Sequence, residues 1–349
     1  MSAITQLRSL FTNIFSLKKD NDQELIFLND NRDDKTKAYD FLIGQGIYSG
    51  LSSAERRSLW NKFRKNFNFN PNLDNFDFTK FSDILSTQSE KLNLSNLNLS
   101  KTNFSNLLIT SINFSESDLS YSDFSNSTLN MSDFLGVHVN SGNFSTCTFN
   151  EIDFRGSIMA GSKFDKSQFR NRVIFNNCNL MNATFKKVYF KKMVTFTKAN
   201  LTGVQLELEN DALSADFEKA ILVGVEIKGL NMYMVEFNNS DLSNSKLINC
   251  FLSQTDFGEA KLNNTDFTGS TLWESNFAGA KLNNTNFKDA DLRHAQLFNI
   301  DLSLAINLPK NMNQAYINET TAGYPKEVLI RMGCEFTSNS NPYMETRGY

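Results

Sequence analysis

The sequence predicts an all-β solenoid in which the chain winds as a square coil, with small helical segments beyond each end. Three observations predict it. An apolar residue recurs at every fifth position over most of the chain, a small residue recurs two places before it, and a block of twenty residues is written almost twice over, as AKLNNTDFTGSTLWESNFAG at 260–279 and AKLNNTNFKDADLRHAQLFN at 280–299.

The apolar series starts at Leu94 and runs through Leu99, Phe104, Ile109 and Phe114 to Phe169 without a polar residue. Sixteen such hits in a chain that is 40% hydrophobic have a chance probability of about 0.4 to the sixteenth power, so the period is a property of the fold. Single insertions shift the register to Phe175–Phe190 and again to Phe196–Leu206. An irregular patch follows, and the step of five resumes from Phe217 to Leu302. The companion series is small: Ser117, Ser122, Ser127, Cys147, Cys178, Ala199, Ala220, Cys250, Ala260 and Ala280 belong to it.

A period of five fits neither the 3.6-residue helix nor the two-residue strand, so each unit must include a turn. A square coil satisfies this: one unit makes one side and one corner, and the large and the small residue both point inward. Four units close a turn of twenty, which accounts for the duplicated block as two stacked coils about 4.8 Å apart. Near the C-terminal end Phe and Leu alternate by unit, from Phe257 and Leu262 to Leu282 and Phe287, so Phe should stack on two opposite sides. Nineteen of the chain's 32 Phe are centres of this pattern, against only 2 Trp in the whole sequence. Some ten coils would make a rod on the order of 50 Å long.

The regular region is bounded at 91–305. Residues 1–90 are expected to be helical and to cover one end. Ile4, Leu7, Phe11 and Ile14 form one apolar stripe, and a helix from Ser53 to about Phe67 starts at a Ser52/Glu55 capping box, with Leu59, Trp60 and Phe63 on its apolar side. The large residues Leu92, Leu97, Leu107 and Ile112 at small positions suggest a splayed first coil, and residues 207–214 should bulge or loop out. In 306–349 the period is lost, and Pro325 followed by KEVLIRMG predicts a short capping helix ending before Gly333, then a mobile tail.

Little in the chain resembles a catalytic centre. Cys147, Cys178 and Cys250 fall on the inward small position, and Cys334 stands alone outside the repeat. His138 and His294 occupy outward positions far apart in sequence. Asp118, Asp123, Asp133, Asp241, Asp256, Asp266, Asp291 and Asp301 recur at one slot of the repeat and should bond the corner backbone. GQGIYSG at 44–50 lacks the Lys and the spacing of a phosphate loop. No enzyme, metal, cofactor or small-molecule substrate is therefore expected. No apolar run is long enough to span a membrane, and the N-terminus lacks the pattern of an ordinary secretory signal.

Charge is the one feature above background. The net charge is only −3, yet residues 155–198 hold ten basic groups against Asp165, whereas 203–301 are acidic. On a square coil Lys166 stacks over Lys187 and Arg170 over Lys191. With Arg172, Lys186 and Lys192 they form a candidate basic patch, either a solvated face or a dock for an anionic protein, lipid headgroup or nucleic acid, the last disfavoured.

Units such as SDLSN, TDFTG, ADLRH and SNFAG resemble the pentapeptide-repeat family, consensus A(D/N)LXX, over residues 92–304. The resemblance implies a right-handed quadrilateral β-helix. It is similar, too, to the pentapeptide-repeat effectors exported by type III machinery, which place a non-repeat region before the repeats. That likeness implies a non-enzymatic bacterial protein secreted into a host cell, otherwise held in the bacterial cytoplasm, that binds a host protein or anionic membrane. The alternative is a DNA-mimicking, topoisomerase-binding protein like the quinolone-resistance members. That reading needs a continuous acidic side, and the basic patch interrupts one.

Overall fold

The structure, a computed structural model, describes residues 30–338 apart from 67–68, 89, 192–193, 210–212 and 214. The stripe expected around Ile4–Ile14 and the tail beyond 338 lie outside the described residues.

From Leu92 onward the chain is a parallel β-solenoid of about twelve turns. Regular turns pair i with i+20, as Ile109 with Leu129 and Leu129 with Phe149. Turns that carry an extra residue pair i with i+21, as Ile152 with Val173 and Val173 with Val194. Backbone groups bond along the rod axis, coil to coil: Phe114 N–H donates to Asp133 O at 2.8 Å, and Asp133 N–H to Ile112 O at 2.9 Å.

Inside, the apolar residues form four columns. One runs as stacked phenyl rings from Phe114 through Phe134, Phe154, Phe175, Phe196, Phe217, Phe237 and Phe257 to Phe277, with centroids 4.8–5.4 Å apart. The opposite column stacks Phe78, Phe104, Phe124, Phe144, Phe164 and Phe185, and later Phe267 and Phe287. Across the core the two meet edge to face, as Phe257 and Phe267 do at 5.3 Å and 77°, the arrangement that the ring quadrupole favours. Leu and Met dominate the remaining two sides in the C-terminal half, as the Phe/Leu alternation predicts.

The small inward positions have a second task. Ser117, Ser122 and Ser127 donate Oγ–H to the carbonyls of Leu94, Leu99 and Phe104 one coil away, at 2.7–2.8 Å. Cys147 and Cys178 place Sγ in the same position against Phe124 O and Phe154 O. Burial pushes both thiols up to about 12.

Each corner needs a residue with positive φ two places after the large one. Among the described residues thirty-one non-glycine residues adopt it, twelve of them Asn, from Asn75 (φ 53°) to Asn299 (φ 52°). Asn tolerates this geometry better than other side chains except Gly, which accounts for the abundance of Asn. The Asp slot before each large residue closes the corner: Asp118, Asp123, Asp241, Asp256, Asp266, Asp291 and Asp301 accept the N–H two residues on. Asp133 instead pairs with Lys91 at 2.6 Å.

The N-terminal cap differs from expectation in three ways. It holds a helix not read from the sequence, α1 (Asp34–Ile43), capped by Asp33 and ended by Gly44 at φ 72°, so the glycine-rich loop is a helix terminus. The predicted helix is present as α2 (Ser53–Asn66), and its capping box is formed: Ser52 N–H donates to Glu55 Oε2 and Glu55 N–H to Ser52 Oγ. A short helix α3 (Ser82–Ser86) follows. Secondly, residues before 90 already stack on the coil, since Leu73 N–H reaches Asn98 O and Phe78 lies flat on Phe104 at 4.4 Å. Thirdly, the first coil is not splayed. Leu92 pairs in register with Ile112, and Leu92, Leu97, Leu107 and Ile112 are buried. The outermost coil is covered by α2, α3 and residues 73–78 in place of a regular coil, which leaves room for large residues at its small positions, and Ile112 continues that stack one coil further in.

One residue ties cap to coil. Arg57, fully buried, donates to the carbonyls of Ile84, Leu85, Glu90, Thr110 and Ser111 at 2.6–3.1 Å. Trp60 Nε1–H adds a bond to Asn93 O at 2.7 Å.

At the other end the coil extends past the expected boundary at 305. Met312 and Ile317 are buried in the same columns, and Tyr316–Ile317 pairs in parallel with Glu335–Phe336. The predicted C-terminal helix, α4 (Lys326–Arg331), lies within this last turn. Cys334 is therefore not outside the repeat: it is 5% exposed, two places before Phe336, with a thiol pushed up to about 11 by burial.

Candidate functional site

Outward side chains belong to four faces, one beside each column. In the coils around 160–191, two neighbouring faces carry the basic residues. Lys166 N–H donates to Lys186 O at 2.7 Å, which sets Lys166 one coil from Lys187, both at corners with φ 61° and 54°. Phe169 pairs with Phe190, so Arg170 and Lys191, the next residues, stack likewise. The structure thus brings together Lys166, Arg170, Lys186, Lys187 and Lys191, all exposed. Arg172 stands apart, on a groove it shares with Asp133, Glu151 and Asp153, and Lys192 lies outside the described residues. Asp165, the one acidic residue of 155–198, accepts the Lys186 backbone N–H at 3.0 Å and leaves the band strongly positive.

The band is uncompensated, whereas several cations elsewhere on the rod are paired. Among the described residues none of these five cations is in an ion pair, whereas Arg155 is held by Asp153, Lys219 by Glu218, Lys261 by Asp241 and Arg293 by Asp291. Beside Lys186 the coil is disturbed. The register shifts between Leu206 and Leu208, within the stretch expected to bulge, and a recess of about 490 Å³ opens, floored by Val204, Leu206, Leu208 and Leu230.

A second surface was not read from the sequence. Tyr233, Met234, Phe251 and Trp273 lie on one face of consecutive coils and are 51%, 49%, 57% and 40% exposed. Tyr233 Oη–H donates to Gln254 Oε1, and Gln254 Nε2–H to Glu274 Oε2, both at 2.7 Å. The signal was available: aromatic side chains in slots that elsewhere hold Asn, Ser and Thr. Among the described residues no three His, Cys, Asp or Glu side chains are placed to hold a metal ion, and no helix is long and apolar enough to cross a membrane.

Comparison with known proteins places this architecture. The model of the pentapeptide repeat region matches residues 211–297 and 240–321, and that of pentapeptide repeats, eight copies, matches 98–136. No curated protein sequence matches the chain. Among solved structures it is similar to HetL, a pentapeptide repeat protein involved in heterocyst differentiation regulation from the cyanobacterium Nostoc sp. strain PCC 7120. Identity is 21% over 65% of this chain and 85% of that one, with a TM-score of 0.19. It is also similar to full-length QnrB1, a plasmid-mediated fluoroquinolone resistance protein, at 16% identity over 61% and 86% with a TM-score of 0.22. Rfr23, a pentapeptide repeat protein of the cyanobacterium Cyanothece 51142, shares 26% over 31% and 63%, with a TM-score of 0.18. The five-residue period, the parallel square coil it builds and the two family models agree: over residues 98–136 and 211–321 the chain carries pentapeptide repeats.

Proposed function

We propose that this chain is a non-enzymatic binding scaffold that docks its basic band onto an anionic surface, and that it acts as a bacterial effector secreted into a host cell, where that surface is a host protein or the membrane. The observation that supports docking is the stacked cluster of Lys166, Arg170, Lys186, Lys187 and Lys191, all exposed and, among the described residues, none of them in an ion pair. Holding like charges one coil apart is unfavourable without a counter-surface. The secreted role rests on the likeness of the layout, a non-repeat N-terminal region before the repeats, to exported effectors.

The competing reading, a DNA-mimicking topoisomerase binder, draws on the stack of Asp216, Glu236 and Asp256. That stack is short. The same column reads Ile174 and Thr195 before it and Asn276 and Gln296 after it, so the acidic side is interrupted at both ends.

Reversing Lys187 and Lys191 to Glu tests the docking. The double variant should bind phosphatidylserine vesicles or an acidic host protein about ten-fold or more weakly at moderate salt, with an unchanged melting temperature. Unchanged binding would return the band to an ordinary solvated face. The secreted role is tested separately by deleting residues 1–30, which should abolish delivery to host cells; delivery that continues would refute it.

A further inference from the structure

The exposed aromatic face lies in the acidic half of the rod, separate from the basic band. Phe251 stands beside the column of Leu252 and Leu272, and its backbone pairs in parallel with Asn231 on one side and Thr271 on the other. Tyr233 and Trp273 occupy the equivalent slot two coils apart, immediately after Met232 and Leu272. Three aromatic rings and Met234 are thus presented half-exposed on one β-face, with His294 edge-on to Trp273 at 6.1 Å. Isolated exposed apolar residues are ordinary, but a contiguous group of this size on one face marks an interaction site, and Trp and Tyr dominate the energetics of such sites.

The rim shows what kind of partner fits. Glu274 occupies the corner next to Trp273, Asp256 sits just round the corner from Gln254, and Asp289 lies on the opposite edge. Among the described residues none of these three is in an ion pair, and the one nearby guanidinium, Arg293, is taken by Asp291 at 2.7 Å. The Tyr233–Gln254–Glu274 chain of hydrogen bonds also fixes the Glu274 carboxylate at the edge of the rings. Electron-rich ring faces next to carboxylates attract a guanidinium or ammonium, which stacks on a ring while it bonds the acid.

We infer that this face is a docking surface for a protein segment in which Arg or Lys alternates with apolar side chains. The apolar side chains cover Phe251 and Met234, and the cations bridge Trp273 or Tyr233 to the acidic rim. A membrane surface fits poorly, because anionic headgroups would be repelled by that rim.

Titrating the full chain with two fluorescently labelled synthetic peptides, one of alternating Arg and Leu and one of alternating Glu and Leu, tests this. Phe251→Ser and Trp273→Ser change outward slots only and should leave the melting temperature in place. Each is expected to weaken the Arg–Leu peptide about ten-fold or more and leave the Glu–Leu peptide, which the basic band can hold, unchanged. Two results would overturn the inference on its partner: neither substitution alters the Arg–Leu affinity, or both peptides weaken equally. Two others would replace the occupant: a concentration-dependent dimer in sedimentation that Phe251→Ser abolishes, showing a second copy, or binding to phosphatidylserine vesicles that Trp273→Ser abolishes, showing a membrane.

Discussion

Replacing Arg57 by Met should detach the N-terminal cap without unfolding the coil. The guanidinium satisfies five carbonyls, two at the end of α3 and its exit (Ile84, Leu85), one at Glu90, and two on the coil itself (Thr110, Ser111). Losing the donor leaves those acceptors facing an apolar methyl group. At about 1 kcal/mol of net stability per bond the loss is about 5 kcal/mol. Met also removes a buried charge, which burial already disfavours enough to hold the guanidinium down to about 10, so part of the loss is returned. The balance is about 3 kcal/mol against the cap. Because coils interact chiefly with their neighbours, that deficit stays local. Trp60, fully buried in the cap, and Trp273, exposed on the coil, report the two regions. In urea, Trp60 fluorescence of Arg57→Met should change well before the β-signal in circular dichroism, and α2 amides should lose exchange protection first. Arg57→Lys should fare little better, since a single ammonium cannot span five acceptors. One coincident transition, or an unshifted Trp60 midpoint, would refute the reasoning.

Acid should act on the same region. The carboxyl of Asp30 is held down to about 2 by its hydrogen bond from Arg32, and those of Asp33 and Asp74 are lowered by bonds from Thr36 and Lys35. A carboxylate with a depressed pKa stabilises the fold above its ordinary value and loses that contribution as pH falls through the depressed one. Trp60 fluorescence in a Trp273→Phe background should therefore change between about pH 4 and 2; a signal unchanged across that range would contradict this. In the core, Phe237→Ala opens a gap in a stack whose neighbours Phe217 and Phe257 lie 5.1 and 5.4 Å away, and should cost about 3–5 kcal/mol in denaturant titration, whereas Phe237→Leu should cost far less. Finally, the buried thiols of Cys147, Cys178, Cys250 and Cys334 should resist a disulfide reagent at pH about 8 until denaturant is added, because burial raises each pKa. Rapid labelling of the native protein would show that a coil opens.

The coil was legible because one requirement repeats: every fifth side chain must fill a column, and a polar residue there would be buried unpaired. Where that requirement weakens, so does the signal. Asn307 is the first polar residue on the series after Leu302, and it hid Met312 and Ile317, which return to the columns after it. The chain there takes one extra residue, pairing Asn286 with Asn307, and drops it again by Asn311. Helix α4, inserted in the last turn, hid the inward place of Cys334 in the same way. Arg57 and Arg56 were opaque for the opposite reason. On an isolated amphipathic helix they read as solvated charges, whereas in the fold Arg56 meets the Leu42 carbonyl and Asp83, and Arg57 the carbonyls of Ile84, Leu85, Glu90, Thr110 and Ser111. The left-handed corners were visible in principle, as Asn two places after the large residue, but composition alone does not distinguish a strained corner from a polar surface.

The same division of labour bears on where binding can be encoded. Two of the five positions in each unit are fixed by packing, a third is constrained by the Asx corner, and a fourth by left-handed backbone. The slot just after the large residue has no such duty. Arg170, Lys186 and Lys191 occupy it in the basic band, and Tyr233 and Trp273 occupy it on the aromatic face. Both candidate surfaces thus draw on the slot that the coil leaves free, so substitutions there should change partners at little cost to the fold, and the same substitutions one residue earlier should do the reverse.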